Sequence, residues 1–67
     1  MTNTELLNEY IDKSGLKLQY IANELFISRY ALYQKMTNKS PFKQSEIKKL
    51  CELLSIPVSD CVKIFLS

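Results

Sequence analysis

The apolar residues between positions 18 and 37 restrict this part of the chain to two short helices joined by a tight turn. In LQYIANELFISRYALYQKMT, the first half repeats apolar residues at the i, i+3, i+4, i+7 spacing of a helix with one buried face: Leu18, Ile21, Ala22 and Leu25. The second half has its own inward set: Ile27, Ala31, Leu32 and Met36. The other side of this half carries polar and amphipathic residues that no core requires: Arg29, Tyr30, Tyr33, Gln34 and Lys35. A short helix with so many outward hydrogen-bonding groups is suited to binding a polar surface.

The length of the chain predicts one small domain, residues 1–67, with little room for a substrate cavity. The first twelve residues contain three acids, no base and no long apolar run, which argues against a signal peptide and a membrane span. We therefore expect a cytoplasmic protein. Met1 and the short apolar tail favour a complete small protein over a piece of a longer regulator.

The residue types that carry most enzyme chemistry are scarce. Cys51 and Cys61 are the two cysteines, and the chain has no histidine to complete a zinc site. Both cysteines have apolar neighbours on predicted helices, so we predict free thiols in the core. Gly15 is the sole glycine, which excludes a glycine-rich phosphate loop, and no carboxylate or thiol has an evident catalytic partner. The sequence predicts no catalytic residue, no metal, no cofactor and no enzyme.

The charges are distributed unevenly although the net charge is only +2. Residues 1–12 hold three acids and no base, whereas residues 28–49 hold six bases and one acid. A basic patch on the second half of the helical pair is expected of a phosphate-binding face. An ordinary solvated lysine face is the alternative.

The whole chain is predicted to form five helices and no strand. A capping box from Thr2 to Glu5 starts the first helix and Gly15 ends it. Residues 37–43 are polar and contain a Ser-Pro turn signal, so they should form a loop on the basic face, and Pro57 ends the fourth helix. The predicted helices cover about residues 3–13, 17–25, 28–36, 44–54 and 58–65.

The central motif and its flanks resemble a known family. The residues that carry the resemblance are Ala22, Leu25, Ile27 and Leu32, with GLKLQYIA before them and EIKKLCELLSIP after them. In these features the chain resembles the helix-turn-helix domain of the phage Cro and repressor family, over about residues 6–65. The resemblance implies an all-α, compact five-helix, lambda-repressor-like domain whose second motif helix, about residues 28–36, enters the DNA major groove. Ala22 matches the small residue that lets the two motif helices approach closely.

One residue departs from the family pattern. The family usually has glycine in a left-handed conformation at the turn, and this chain has Phe26. A bulky residue at positive φ costs on the order of 1 kcal/mol. We expect Phe26 to recover that cost by partial burial of its ring; otherwise the turn has a different shape.

The resemblance also implies roles for individual side chains. Base edges would be met from the outer face of the recognition helix by Arg29, Tyr30, Tyr33 and Gln34. Phosphates would be met from the start of each motif helix and from the basic loop by Lys17, Gln19, Ser28, Asn38, Lys39, Ser40 and Lys43. As alternatives, Tyr30 folds back over the first motif helix or Tyr33 covers the loop.

These roles predict a sequence-specific transcriptional regulator whose partner is a double-stranded DNA operator. The alternative is a protein-interaction module of the same fold, such as an antirepressor that binds a repressor protein, for which the tyrosines would serve equally well. A homodimer, in solution or only on DNA, is predicted from the last helix. Its inward face is expected to be Val58, Cys61, Val62 and Phe65, which leaves Ile64 and Leu66 for a second subunit or for the bottom of the core.

Overall fold

The computed structural model describes residues 2–66, which fold into five α-helices without a strand in that range. The predicted all-α class and the helix order are confirmed. No helix end differs from the expected one by more than one residue. The helices are α1 Thr4–Ser14, α2 Leu18–Glu24, α3 Arg29–Met36, α4 Gln44–Leu53 and α5 Val58–Phe65.

The core is aliphatic and receives side chains from all five helices. Its buried members are Leu7, Ile11, Ile21, Ala22, Leu25, Leu32, Met36, Leu50, Leu54, Ile56 and Ile64. Helices α2 and α3 pack on each other, and Ala22 is fully buried. A methyl group at that position leaves no volume for a larger side chain.

Four helices end through a residue with positive φ. Gly15 has this conformation after α1, and Phe26, Asn38 and Ser55 have it after α2, α3 and α4. At Phe26 the amide bonds back to the Asn23 carbonyl, and the next amide bonds to the Ala22 carbonyl. This is the Schellman arrangement, and the same pair of bonds recurs at Asn38 and Ser55.

The expectation that Phe26 is partly buried is wrong. Its φ is 59°, the left-handed value that the family pattern reserves for glycine, and its side chain is 93% exposed. The next residue, Ile27, turns back onto the core and is partly buried. The turn therefore keeps its shape while the aromatic ring projects into solvent.

The first helix begins differently from the expected capping box. Asn3, not Thr2, is the N-cap, because its side-chain oxygen accepts from the Leu6 amide at 3.2 Å. The Asn3 amide donates to the Ile64 carbonyl at 2.7 Å, which joins the chain start to α5. Thr2 is held elsewhere, through its backbone, by the Asn38 side chain.

The faces of α5 are also not as expected. Ile64 is fully buried, so it belongs to the core and not to a subunit contact. Val58 and Val62, expected inside, are exposed together with Leu66. Tyr10 fixes this rotation, since its hydroxyl donates to the Asp60 carboxylate. That bond, partial burial and the charges of Asp60 and Glu9 raise the pKa of Tyr10.

The two cysteines are not free thiols. Cys51 on α4 and Cys61 on α5 form a disulfide, with their Cα atoms 6.6 Å apart. Both side chains are partly buried at the edge of the core, so the expected apolar surroundings are present. The apolar pattern did not indicate that the two faces meet.

Candidate nucleic-acid interface

The exposed face of α3 begins at its N-cap. The Ser28 hydroxyl oxygen accepts from the Ala31 amide at 3.0 Å and starts the helix. Arg29, Tyr30 and Tyr33 follow on the exposed side, with Tyr30 73% exposed and Tyr33 52% exposed. Gln34 is partly buried. All four residues expected to meet bases are therefore on α3, and three of them are well exposed.

Three of these side chains line one open groove with Leu18 of α2. The groove has a volume of about 470 Å³, and its other walls are Arg29, Tyr30 and Tyr33. A guanidinium, two phenol rings and an aliphatic side chain offer both hydrogen bonds and flat apolar contacts. Tyr30 and Tyr33 are both exposed while they line this groove beside Leu18 of α2.

The start of α2 carries the first expected phosphate contacts. Lys17 occupies the N-cap position, makes no side-chain cap and is exposed. Amides at the start of a helix favour anions when no side chain caps them. Gln19 is exposed, and its amide nitrogen donates to the Asn23 side chain at 3.0 Å, which leaves its carbonyl oxygen outside that bond.

The loop between α3 and α4 carries the other expected phosphate contacts. Lys39 and Lys43 are exposed, and Ser40 is partly buried. Asn38 has a structural task, because its side-chain amide makes two bonds of 3.0 Å with the backbone of Thr2. Its placement favours an anchor for the chain start, whereas the lysines beside it face solvent.

The expected position of Lys35 is wrong, because its spacing of three residues from Leu32 and four from Ala31 puts it on their inward face. It was expected on the outer side of α3, but it is 8% exposed and forms an ion pair with Glu46, itself 6% exposed, at 2.5 Å between Nζ and Oε1. Burial alone would raise the pKa of Glu46. Hydrogen bonds from Lys35 and the Lys43 amide, with the charges of both lysines, outweigh burial and lower it.

The basic patch therefore has fewer exposed positive charges than the six bases counted in residues 28–49 suggest. Lys35 is neutralised inside the protein, and Lys49 lies 3.6 Å from Glu24 in a partly exposed ion pair. The basic side chains that remain exposed in this region are Arg29, Lys39, Lys43, Lys48 and Lys49. These side chains lie at the start of α3, in the loop and in the first turns of α4.

The sequence predicted the exposed residues of this region better than it predicted the partners of its buried side chains. Glu46 stands three residues after Lys43, the spacing at which an acid reaches back to a helix N-cap, and this signal alone pointed to its bond with the Lys43 amide at 2.8 Å. Its second partner, Lys35, comes from another helix; the spacing of Lys35 from Leu32 indicated burial, but nothing local indicated the pairing with Glu46. No group of three or more metal-ligating side chains occurs within residues 2–66.

No family model, curated protein or solved structure matches the chain. Across the described residues, none of the helices has the length and apolar character needed to cross a bilayer. Function therefore has to be inferred from the side chains of α2, α3 and the following loop.

Proposed function

We propose that the protein is a sequence-specific DNA-binding transcriptional regulator of the Cro and repressor type, with α3 in the major groove. One observation carries this proposal: α3 exposes Arg29, Tyr30 and Tyr33 along one groove, and exposed lysines follow directly in the loop. Arginine bonds guanine O6 and N7, and glutamine bonds adenine N6 and N7, in bidentate geometry. The lysines supply attraction to phosphates that does not depend on sequence.

The first experiment is a selection of bound duplexes from a random DNA pool, followed by affinity measurements at several salt concentrations. We expect one preferred motif and an affinity that falls steeply as salt rises, because bound lysines release counterions. Unselective binding, or binding insensitive to salt, would reject the proposal. This selection also defines the duplexes needed below.

Base readers and phosphate anchors should then fail differently. Gln34→Ala should cost about 1 to 3 kcal/mol on the preferred duplex and much less on a duplex altered at the base pair it reads, and Arg29→Ala should behave alike. Lys39→Ala should weaken every duplex by a similar factor and lower the salt slope by about 1. Lys13→Ala on α1 is the matched control, since it removes the same charge from an exposed position to which the proposal assigns no DNA contact, and it should leave the slope unchanged.

An interaction module that grips another protein is the second candidate. What favours it is the amount of exposed aromatic surface near the motif: Tyr20, Phe26, Tyr30 and Tyr33. Aromatic side chains of this kind dominate protein interfaces. If Arg29→Ala and Gln34→Ala leave DNA binding intact while capture of a repressor protein is lost, this candidate replaces the first.

The proposal includes a homodimer that forms on DNA. Val58, Val62 and Leu66 recur at i, i+4, i+8 and make an exposed apolar stripe on α5, with Val58 81% exposed. Three side chains are far fewer than the 20 to 30 residues, about 800 Å², that each partner contributes to a stable interface, so association in solution should be weak. Two subunits on DNA would bind half-sites about 34 Å apart.

The dimer is tested with the selected duplex. Val62→Lys should abolish cooperative binding of the second subunit. Asn8→Lys adds the same charge at an exposed position of α1 and should preserve cooperative binding. A selected motif with a single unrepeated half-site, saturated by one subunit, would contradict the dimer. The proposed regulator would act in the cytoplasm, where its operator lies.

A further inference from the structure

Lys35 and Glu46 are the charged residues that are buried within residues 2–66. Lys35 lies in the last turn of α3, and Glu46 lies in the first turn of α4. Their side chains meet at 2.5 Å. The pair therefore joins the end of the proposed recognition helix to the helix that follows the basic loop.

The same pair also contacts three consecutive residues of that loop. The Lys35 ammonium donates to the Pro41 carbonyl at 3.3 Å and lies 5.9 Å from the centre of the Phe42 ring. Glu46 accepts from the Lys43 amide at 2.8 Å. Phe42 also makes an edge-to-face contact with Phe65 of α5. The last part of the loop is thus fixed to α3 and α4 by two side chains.

Fold stability is a poor explanation for such a pair. Removing two charges from water is costly, and well-packed apolar residues of similar size are often as stabilising as a buried ion pair or more so. What an apolar pair lacks is direction, because it makes no bond to the Pro41 carbonyl. The bonds of Lys35 and Glu46 are directional, and the groups that they orient are the Pro41 carbonyl and the Lys43 amide of the loop.

We propose that Lys35 and Glu46 are positioning residues that hold the phosphate-binding loop at a fixed distance and angle from the base-reading face of α3. This inference rests on the proposed DNA-binding function. Lys39 and Lys43 then reach phosphates while Arg29 and Gln34 reach bases on the same duplex. Neither Lys35 nor Glu46 touches DNA, since both are buried.

The test is the double variant Lys35→Met/Glu46→Gln. Methionine replaces the four-carbon stem of lysine without its ammonium group, and the glutamine carbonyl can still accept from the Lys43 amide, but the Pro41 contact and the ion pair are lost. The net charge is unchanged, and so are the exposed lysines. Lys13→Met/Glu9→Gln on α1 is the matched control, because it makes the same two substitutions at exposed positions four residues apart.

Binding to the selected duplex and to single-base variants is measured against salt, and melting is recorded for each protein. We expect the double variant to unfold cooperatively and to bind every duplex about 10-fold more weakly, with a salt slope lowered by about 1 to 2 and an unchanged ratio between duplexes. The control should keep wild-type affinity and slope. A drop in the slope cannot come from Lys35 itself, because that lysine is buried.

Wild-type affinity and slope in a folded double variant would overturn the positioning role. A changed ratio between duplexes with an unchanged slope would overturn it as well, since the lost contacts would then lie on α3. If the variant lacks a cooperative transition, Lys35→Met/Glu46→Leu fills the site with apolar atoms and is measured in the same way. Failure of the wild-type protein to bind any duplex would reject the proposed function together with this inference. A wild-type protein that binds, with a folded double variant that binds equally well, would reject this inference alone.

Discussion

Replacing Phe26 with glycine should make this protein more stable, although it deletes a large apolar side chain. Phe26 has φ 59° at the end of α2, where a Cβ is crowded by the backbone, and its ring is 93% exposed. The two amide bonds that close the turn come from backbone atoms of Phe26 and Ile27 and do not need the ring. Glycine adopts the same backbone conformation without the steric cost.

The expected magnitude follows from the exposure and the backbone. Placing a side chain at a positive φ in exchange for glycine costs about 1 kcal/mol after the larger unfolded-state entropy of glycine is included. A ring that is 93% exposed keeps at most about 15 Å² of roughly 200 Å² in contact, worth ~0.4 kcal/mol. Phe26→Gly should therefore raise the free energy of unfolding by about 0.5 to 1 kcal/mol, or the melting temperature by roughly 3 to 6 °C.

Urea titration of the wild type, Phe26→Gly and Phe26→Ala measures this difference. Alanine keeps the strained Cβ and loses the ring, so Phe26→Ala should remain within about 0.5 kcal/mol of the wild type. A Phe26→Gly protein less stable by about 2 kcal/mol or more would mean that the ring fills a site in the core. Equal stabilisation by both substitutions would mean that backbone strain is not the cause.

Three further outcomes follow from buried contacts. Contacts with Lys35 keep the pKa of Glu46 below its ordinary range against the effect of burial, so the stability that this carboxylate contributes is present above about pH 4.5 and is lost as pH falls through its folded-state pKa. Urea titration at stepped pH should show that acid lowers the free energy of unfolding more steeply in the wild type than in Lys35→Met/Glu46→Gln. Parallel curves would contradict this. Reduction of the Cys51–Cys61 disulfide, which spans 10 residues, should lower the free energy of unfolding by about 2 to 3 kcal/mol, measured by denaturant titration with and without a dithiol. Two titratable thiols in the unreduced, unfolded protein would instead support the free cysteines that the sequence predicted. Ala22→Val should cost about 1 to 3 kcal/mol in the same assay by forcing α2 and α3 apart, and a neutral result would reveal unfilled space between them.

The surface residues of the candidate site were predictable because each depends on local information. Arg29, Tyr30 and Tyr33 lie outside the apolar set of α3 and were predicted on its outer side, and all three are exposed. Lysines of a polar loop face water because the loop has no apolar face to bury them, and Lys39 is exposed in this way. Whether they bind DNA stays a prediction, because exposure states what is available and not what it contacts.

Residues whose environment comes from another helix were not predictable in this way. Lys35 was expected outside, although its spacing of three residues from Leu32 and four from Ala31 places it on the inward face of α3. That Glu46 of α4 pairs with it there could not be read from the pattern of α3. Ile64 and Val62 exchanged their expected faces, because docking against α1 set the rotation of α5. The cysteine pairing depends on the same rotation, since it requires the sides of two helices to meet.

The sequence by itself determined the five helices, their order and the end of α1 at Gly15, because hydrogen bonds and backbone sterics within a few residues decide these. It left the shape of the turn after α2 open, and the structure has a left-handed residue there, Phe26. The tertiary structure alone decided which charges are buried, which cysteines pair and which face of α5 is left in water. These depend on how helices distant in sequence rotate and pack, and a periodic pattern specifies a face without naming the partner that covers it.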